Sequence, residues 1–433
     1  MSIFKKTKKR VYINNQLKEV IYPTNVLNLT QFYIDAASMG ATIDKVLFEK
    51  ELLALPSIAK DEATYILVPG VYKEGMIYGL NPDTGTIEEF TFSRSTAATY
   101  IDKSGKIQIA PADMPRIDYD PNTGESLGYL LEAARTNLAL YSGGGEYGSL
   151  QVVYTSDRQF TSRQISQGKS CLYFEGENAV SSGTFRLSSI GLVEGKTYTW
   201  SFWVRADQQT TRGFANYKGS SYNTSSFNIT TSWTRVVFTF VAEGNYDLPH
   251  MSKPTGTTSN FYIADIQCEE GDTATSYIPT LGTTVLRTRD YLRSVNDLVP
   301  YQNASVFMHM KSVILNDISS AITLLRGNTD GRYWYTLVSA PFSVSAYSST
   351  SGILTPEGQS TAIQYNKMVV SYGTEGFKAA INGGKTMTKA YAGTFGISGS
   401  LVFATQGVAA LLVRQVAIQP RQLTDSEHSQ ASA

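Results

Sequence analysis

The sequence predicts a mainly β protein: a small α+β N-terminal module, an extended clamp segment, then two antiparallel β-sandwich domains of jelly-roll type. Three observations predict it. Helical periodicity is confined to residues 1–90. From about residue 146 onward, short apolar runs alternate with Ser/Thr/Asn/Gly-rich connections, the pattern of a sandwich. The composition agrees, with 27 Tyr, 19 Phe and 35 Gly, and with only 17% charged residues against about 25% in an average soluble domain.

The same composition excludes several classes. A chain of 433 residues can bury more than one core, and its length suggests about three domains. Its aromatic and β-branched content argues against disorder. Lys and Arg number 37, as do Asp and Glu, so there is no basic excess of the kind that marks a nucleic-acid binder. Two cysteines cannot build a disulfide scaffold. A surface rich in neutral Tyr, Thr, Ser and Gly suits β-domains and the recognition of neutral polar ligands such as sugars.

The first ten residues carry Lys5, Lys6, Lys8, Lys9 and Arg10 and no acid. They look like the n-region of a signal peptide, but Val11–Val20 supplies no apolar h-region, so that reading fails. No run approaches the roughly 18 apolar residues of a membrane span. The expectation is a chain made in a cytosol. Its five basic groups are candidates for docking to an acidic partner surface, the alternative being a solvated terminus.

Thr30–Met39 reads as a helix ending at Gly40, a fitting residue just past a helix end. Thr42 reads as the N-cap of a second helix, with Ile43, Val46, Leu47, Phe48, Leu52, Leu53 and Leu55 on its apolar face and Pro56 closing it. Two short strands follow, around Ala63–Pro69 and Gly75–Gly79, with a turn at Asn81–Gly85. Residues 91–145 combine three prolines with repeated turn chemistry and read as a clamp with a Gly-rich exit. The first sandwich, residues 146–282, has its clearest strands at Ser170–Glu175, Thr197–Arg205, Trp233–Phe240 and Asn260–Cys268. The second, residues 283–433, has them at Ala304–Met310, Tyr333–Val338, Lys367–Tyr372, Gly376–Ile381 and Val408–Ile418. Asn382-Gly383 is a hairpin signal, and Gln422–Glu427 reads as a short terminal helix.

Within this frame, some runs are familiar. They are Phe90-Thr-Phe-Ser-Arg94, Ser95–Thr99, Asp102 with Gly105 and Ile107, Pro115-Arg-Ile-Asp-Tyr119, and Leu130-Leu-Glu-Ala-Ala-Arg-Thr-Asn-Leu138. Together they resemble a segment common in bacteriophage tail and fibre proteins. Glu51–Ser57 and Cys268–Thr280 look like the same family, in which the latter closes a carbohydrate-binding-module-like jelly roll. Members often carry Leu where Cys268 stands, which suggests a core position. The last domain resembles the laminin-G or concanavalin A-like sandwiches of such fibres, through Phe377–Gly383 and Val416–Glu427. The resemblance implies a virion structural protein, usually a homotrimer, joined to other phage proteins through its N-terminus and facing bacterial surface glycans. It also implies that the strands of Cys171 and Cys268 lie near each other. A disulfide and two buried thiols are both open readings.

Candidate chemistry is sparse. His250, His309 and His428 share no metal-like spacing. No nucleophile elbow, phosphate loop or dinucleotide fingerprint is present. Adjacent Glu269 and Glu270 would point to opposite faces of a strand and cannot flank one glycosidic bond. Between residues 301 and 424 the only acids are Asp317, Asp330, Glu357 and Glu375 against nine Lys and Arg, a poor set for calcium. Neither catalysis, nor a cofactor, nor a metal is therefore expected.

Sugar binding has more physical support, since an aromatic ring stacks on the C–H face of a pyranose while amides, hydroxyls and guanidinium groups pair with its hydroxyls. Along Thr197–Arg205, Tyr198, Trp200, Phe202 and Val204 share the core face, leaving Trp203 and Arg205 opposite. Trp203 and Arg205 are candidates for a glycan-binding patch, with Tyr217 and Tyr222 at its edge in a loop. Arg332 and Trp334 form a second candidate pair. For each, packing or a subunit interface is the commoner role, since a strand Trp in a sandwich more often packs than serves as a ligand platform. The expected function is a phage fibre or tail protein displaying sandwiches for host-glycan adhesion. The alternatives are a head-fibre, collar or decoration protein with purely structural sandwiches, and a carbohydrate-active depolymerase.

Overall fold

A computed structural model describes residues 8–13, 16–21, 29–61, 63–82, 84–143, 160–166, 169–174, 184–186, 190–218, 221–242, 249–252, 260–296, 303–313, 321–326, 333–337, 345–348, 352–354, 365–373, 375–389, 401–404 and 410–433. The chain is mainly β, with antiparallel pairings throughout the described strands. It divides into two units: Met1–Ala133 with Arg289–Ala433, and Ala134–Thr288. Among the described residues, no helix is long and apolar enough to cross a membrane.

The first unit departs from the expected order of separate modules, and the closing strand Ala410–Gln419 shows why. One edge of it pairs with Ala304–Val313. The other edge is filled by two segments from the N-terminal third: Tyr65–Leu67 against Val416–Ile418, and Ser126–Glu132 against Ala410–Val413. Segments of the expected attachment module and clamp thus pair with a C-terminal strand in one 14-stranded sheet, since an unpaired edge leaves backbone donors and acceptors unsatisfied.

Alternation along these strands separates two cores. Val306, Met308 and Met310 join Val370, Phe90, Phe92, Leu292 and Phe403 in one. Phe307, Val369 and Ala417 face the other, against Phe32, Phe48 and Leu52 of the helices. A bulge beside His309, where Gln415 and then Val413 are the partners, takes up Arg414 and switches parity, so Leu411, Val413, Val416 and Ile418 all reach the first core.

The helices are Leu29–Ser38, Lys45–Ala54, Ser57–Asp61 and Asp425–Ser432. The second starts later than expected. Asp44, not Thr42, caps it by accepting from Leu47 N, while Thr42 and Ile43 pair with Tyr72 and Val71. Its buried face is Leu47, Phe48, Glu51 and Leu52. Val46 and Leu53 are exposed, at 81% and 55%, because buried Glu51 turns inward to Arg414 at 2.9 Å. Asn382-Gly383 does turn with positive φ, yet Ala379 pairs with Met387, so the connection is longer than a two-residue hairpin.

Four charged groups lie buried together in this unit. Asp290 accepts from Arg94 Nη1 at 3.0 Å, Arg116 Nη2 at 2.6 Å and Glu132 N at 2.7 Å. Arg116 Nη1 also meets Glu132 at 2.9 Å, and Asp290 N donates to Glu132 O. Arg94 Nη2 further donates to Pro111 O and Met114 O. Arg94 and Arg116 of the Phe90–Leu138 stretch are thus structural, with their charges neutralised in place.

The second unit is a sandwich with its own core. Its five-stranded sheet runs Phe160–Ser166, Lys169–Phe174, Phe261–Glu270, Thr197–Ala206, Thr234–Val241. Its four-stranded sheet runs Thr184–Arg186, Pro249–Ser252, Thr210–Lys218, Ser221–Ile229. Tyr198, Trp200, Phe202, Val204, Ile263, Ile266 and Ile229 fill the space between. Arg135–Asn137 pairs with Val285–Arg287 beside it. Buried Asn137 donates to Ile266 O and Ile278 O and accepts from Ala139 N and Cys268 N. Cys171 and Cys268 are both buried thiols, not joined in a disulfide, and burial pushes the Cys268 thiol up.

Candidate functional site

The outward face of the five-stranded sheet is the place where chemistry-bearing side chains of the second unit gather. Alternation sends Tyr198, Trp200, Phe202 and Val204 inward and Thr199, Ser201, Trp203 and Arg205 outward, as the sequence pattern predicts. Register then places Arg205 opposite Tyr262, and Tyr262 opposite Tyr173. The Arg205 guanidinium lies 4.1 Å above the Tyr262 ring, a cation–π contact, and the Tyr262 and Tyr173 rings are 5.2 Å apart.

Hydrogen bonds fix this row. Arg205 Nε donates to Ser166 Oγ at 2.6 Å, and its Nη2 lies 3.6 Å from Asp207 Oδ1. Asp207 Oδ2 accepts from Asn260 Nδ2 at 3.0 Å and from the Tyr262 hydroxyl at 3.3 Å. Burial, and then the bond to Asp207, raises the Tyr262 pKa, which keeps the phenol neutral and a donor. Tyr262 is itself only 8% exposed and is covered by Arg205, so exposed Asp207 with half-buried Asn260 and Tyr173 are the groups of this row that reach the surface, a carboxylate, an amide and a ring able to meet vicinal hydroxyls.

Trp203 shares the face but is only 8% exposed. Lys169 Nζ sits 4.9 Å over its ring and pairs with Asp265 at 2.8 Å. Asp265 adopts φ 52 where the register slips between Ser201 and Trp203, and this extra residue turns its carboxylate to Lys169. The ring is therefore capped and offers no open stacking platform. The far end of the face is closed by the chain itself: Arg235 Nη2 donates to Ser201 Oγ and Thr275 O, and Gln267 Nε2 to Ser276 O.

Tyr217 and Tyr222 are cross-strand partners in a hairpin of the four-stranded sheet, not loop residues, and that sheet is not the one carrying Trp203 and Arg205. Their side chains lie outside the described residues, as does that of Trp334, whose backbone pairs with Leu325 and Ala346. Arg332, Lys5 and Lys6 lie wholly outside them. Lys8, Lys9 and Arg10 form part of strand Lys8–Ile13, paired with Gln16–Ile21, their side chains also outside the description. Sequence reasoning missed Tyr173, Tyr262 and Asp207. The signal was present: Leu172, Phe261 and Ile263 are core residues, so Tyr173 and Tyr262 take the opposite parity.

The remaining candidates resolve simply. Glu269 is buried and accepts from Thr275 N and Thr275 Oγ1, whereas exposed Glu270 pairs with Lys196. Among the described residues no cluster of His, Cys, Asp and Glu could hold a metal ion. His309 Nδ1 meets Gln415, and buried His428 bonds Ser371 and Thr424.

Residues 146–249 match the family described as carbohydrate binding domain, CBM_4_9. That stretch lies within the second unit, which is thus similar to a carbohydrate-binding module. Similar solved structures include a CBM4 domain, at 18% identity over 36% of this chain and 95% of that one, TM-score 0.21. Domain 4 of AbnA, an extracellular arabinanase from Geobacillus stearothermophilus, shares 13% over 37% and 83%, TM-score 0.28. The tandem CBM22-1–CBM22-2 domain of Paenibacillus barcinonensis Xyn10C shares 10% over 69% and 95%, TM-score 0.26. No curated protein matches the sequence.

Proposed function

We propose that the chain is a phage fibre or tail protein, assembled as a homotrimer in the virion, whose second unit binds glycans on the bacterial surface. The observation that carries the glycan half of this reading is the match of residues 146–249 to a carbohydrate-binding family. The Arg205–Tyr262–Tyr173 row with Asp207 supplies suitable chemistry. The virion half rests on the likeness of Phe90–Leu138 to fibre proteins. In this reading the basic strand Lys8–Ile13 belongs to the end that docks to other phage proteins. Binding at each copy would be weak, and a symmetric fibre would raise avidity through effective concentration.

A glycan array probed with the full chain tests the adhesive half. Arg205→Ala with Tyr262→Ala is expected to lower affinity about tenfold or more on whichever glycans bind, through loss of the buried pair that positions Asp207, Asn260 and Tyr173. Unchanged binding by a folded double variant would remove this face from the reading. A second reading, a decoration protein whose sandwiches only contact other subunits, is favoured by the Lys169 cap over Trp203. No binding across the array, with the chain present in the cryo-EM map of a particle collar or head, would select it.

A further inference from the structure

We propose a second ligand site, in the first unit and independent of the face above: Lys311, Arg414 and His309, gathered around the ring of Tyr365, bind a sugar acid through its carboxylate and a neighbouring hydroxyl. The register of three strands brings them together. His309 stands between Lys367 and Gln415, and Met310 pairs with Asn366, so Tyr365 falls level with Lys311. Arg414 is the extra residue of the bulge, carried between Gln415 and Val413. Distances to one ring define the cluster. Lys311 Nζ lies 5.9 Å from the Tyr365 centroid, Arg414 Cζ 6.0 Å, and the His309 ring 5.4 Å, edge-on. Tyr365 is itself anchored: its hydroxyl donates to Leu127 O, and with Leu127 it packs on Leu130, Ala410 and Leu412. His309, Lys311, Tyr365 and Arg414 all stay half-buried, so the cluster reaches solvent.

The hydrogen bonds already made decide what the cluster can take. Gln415 Nε2 donates to Glu51 O at 2.7 Å and to Glu51 Oε2 at 3.3 Å, which turns Gln415 Oε1 to His309 Nδ1 at 3.2 Å. An amide oxygen only accepts, so Nδ1 carries the proton. Burial holds the His309 pKa down at about 4, so at neutral pH the ring is uncharged and its Nε2 is a bare acceptor. Arg414 spends Nε on Glu51 Oε2 at 2.9 Å, which leaves the outer fork of Nη1 and Nη2. Among the described residues, neither that fork, nor Lys311 Nζ, nor His309 Nε2 has a hydrogen-bond or ion-pair partner.

Two cationic donors beside one neutral acceptor match a carboxylate with a hydroxyl at its side, as in a uronic or sialic acid residue. A neutral sugar offers the cations no charge. Sulfate offers charge but no donor for His309 Nε2. The chain's own carboxylates in the flanking segments are engaged elsewhere: Asp118 by Ile101 N at 2.7 Å, Asp120 by Asn122 N and Thr123 N, and Glu125 by Lys50 at 3.6 Å.

Isothermal titration of the full chain tests this. The sugar acids are sialyllactose and trigalacturonate; the contrasts are lactose, the methyl ester of trigalacturonate, and sulfate. At least one sugar acid is expected to bind, about tenfold or more tightly than its uncharged counterpart, and sulfate at equal concentration is expected not to displace it. Whether sialyllactose or trigalacturonate binds separates the sialic from the uronic source. Hydroxyl-radical footprinting, read peptide by peptide, is expected to show the Tyr365 peptide protected about twofold or more. Lys311→Ala is expected to raise the half-saturating concentration about tenfold at an unchanged melting temperature. If that variant melts lower, Lys311→Gln, which keeps most of the stem, serves as the test. No binding of either sugar acid, equal binding of the uncharged counterpart or displacement by sulfate would each overturn the proposal. So would protection confined to the peptides of Tyr173 and Tyr262, or a half-saturating concentration unmoved in the Lys311 variants.

Discussion

Asp290 uses both carboxylate oxygens on two guanidinium groups and one backbone amide, all out of reach of water. Removing one member of a buried ion cluster leaves its partners charged and unpaired, which costs about 3–5 kcal/mol. Asp290→Ala is therefore expected to lower the stability of the first unit by that amount in urea titration, and Asp290→Asn, which keeps the shape and one acceptor, by less. A loss under about 1 kcal/mol would mean that Asp290 is not what holds the two guanidinium groups in the core. Arg94, Arg116 and Glu132 stood in a stretch recognisable from the sequence, yet their role was not legible there. Their shared partner is remote in sequence, and an ion pair between distant segments leaves no periodicity. Arg205 was legible because strand alternation is local. The Lys169 cap on Trp203 was not, since it depends on a register slip that turns Asp265.

At the scale of elements, helix existence followed from apolar spacing, while the helix face did not. Glu51 is buried against Arg414 and Gln415, so a charged residue occupies a core-facing position that hydropathy assigns to solvent. The terminal helix, expected at Gln422–Glu427, runs instead over Asp425–Ser432, because Thr424 and Glu427 form a capping box that sets its start. It carries His428, buried on Ser371, and strand Ala304–Val313 carries His309. Burial lowers both pKa values, that of His309 to about 4, with nearby Arg414 and Lys367 acting in the same direction. The unfolded chain then binds more protons than the folded one below its ordinary value of about 6.5. Stability is full above that pH and is lost as pH falls toward 4, roughly 2–3 kcal/mol from His309 after allowing for its partial exposure. The Glu427 carboxylate, held at about 2 chiefly by Arg421, loses its contribution only at lower pH. Melting temperatures between pH 7 and pH 4 should fall for the natural chain and stay flatter for His309→Gln with His428→Gln. An equal slope in both would assign the acid sensitivity elsewhere.

For the whole molecule, sequence order and domain order differ. Nothing local in Tyr65–Leu67 or Ser126–Glu132 announces that each completes the edge of a strand beyond residue 409. Strand-by-strand reading therefore divides the chain at 90, 145 and 282, whereas the compact units divide at 133 and 288. The two crossings are tied on both sides. In the first unit, Glu132 and Asp290 exchange hydrogen bonds. In the second, Arg135 pairs with Arg287. An insertion whose ends are already adjacent costs its host little loop-closure entropy, and each unit has a core of its own. Calorimetry of the full chain is accordingly expected to show two transitions. Asp290→Ala should lower one of them. Asn137→Ala, which strips partners from four backbone groups inside the second sandwich at a cost of about 3 kcal/mol or more, should lower the other. If either substitution moves both transitions equally, or the chain melts in a single step, the units are one cooperative body and the insertion is a feature of topology alone.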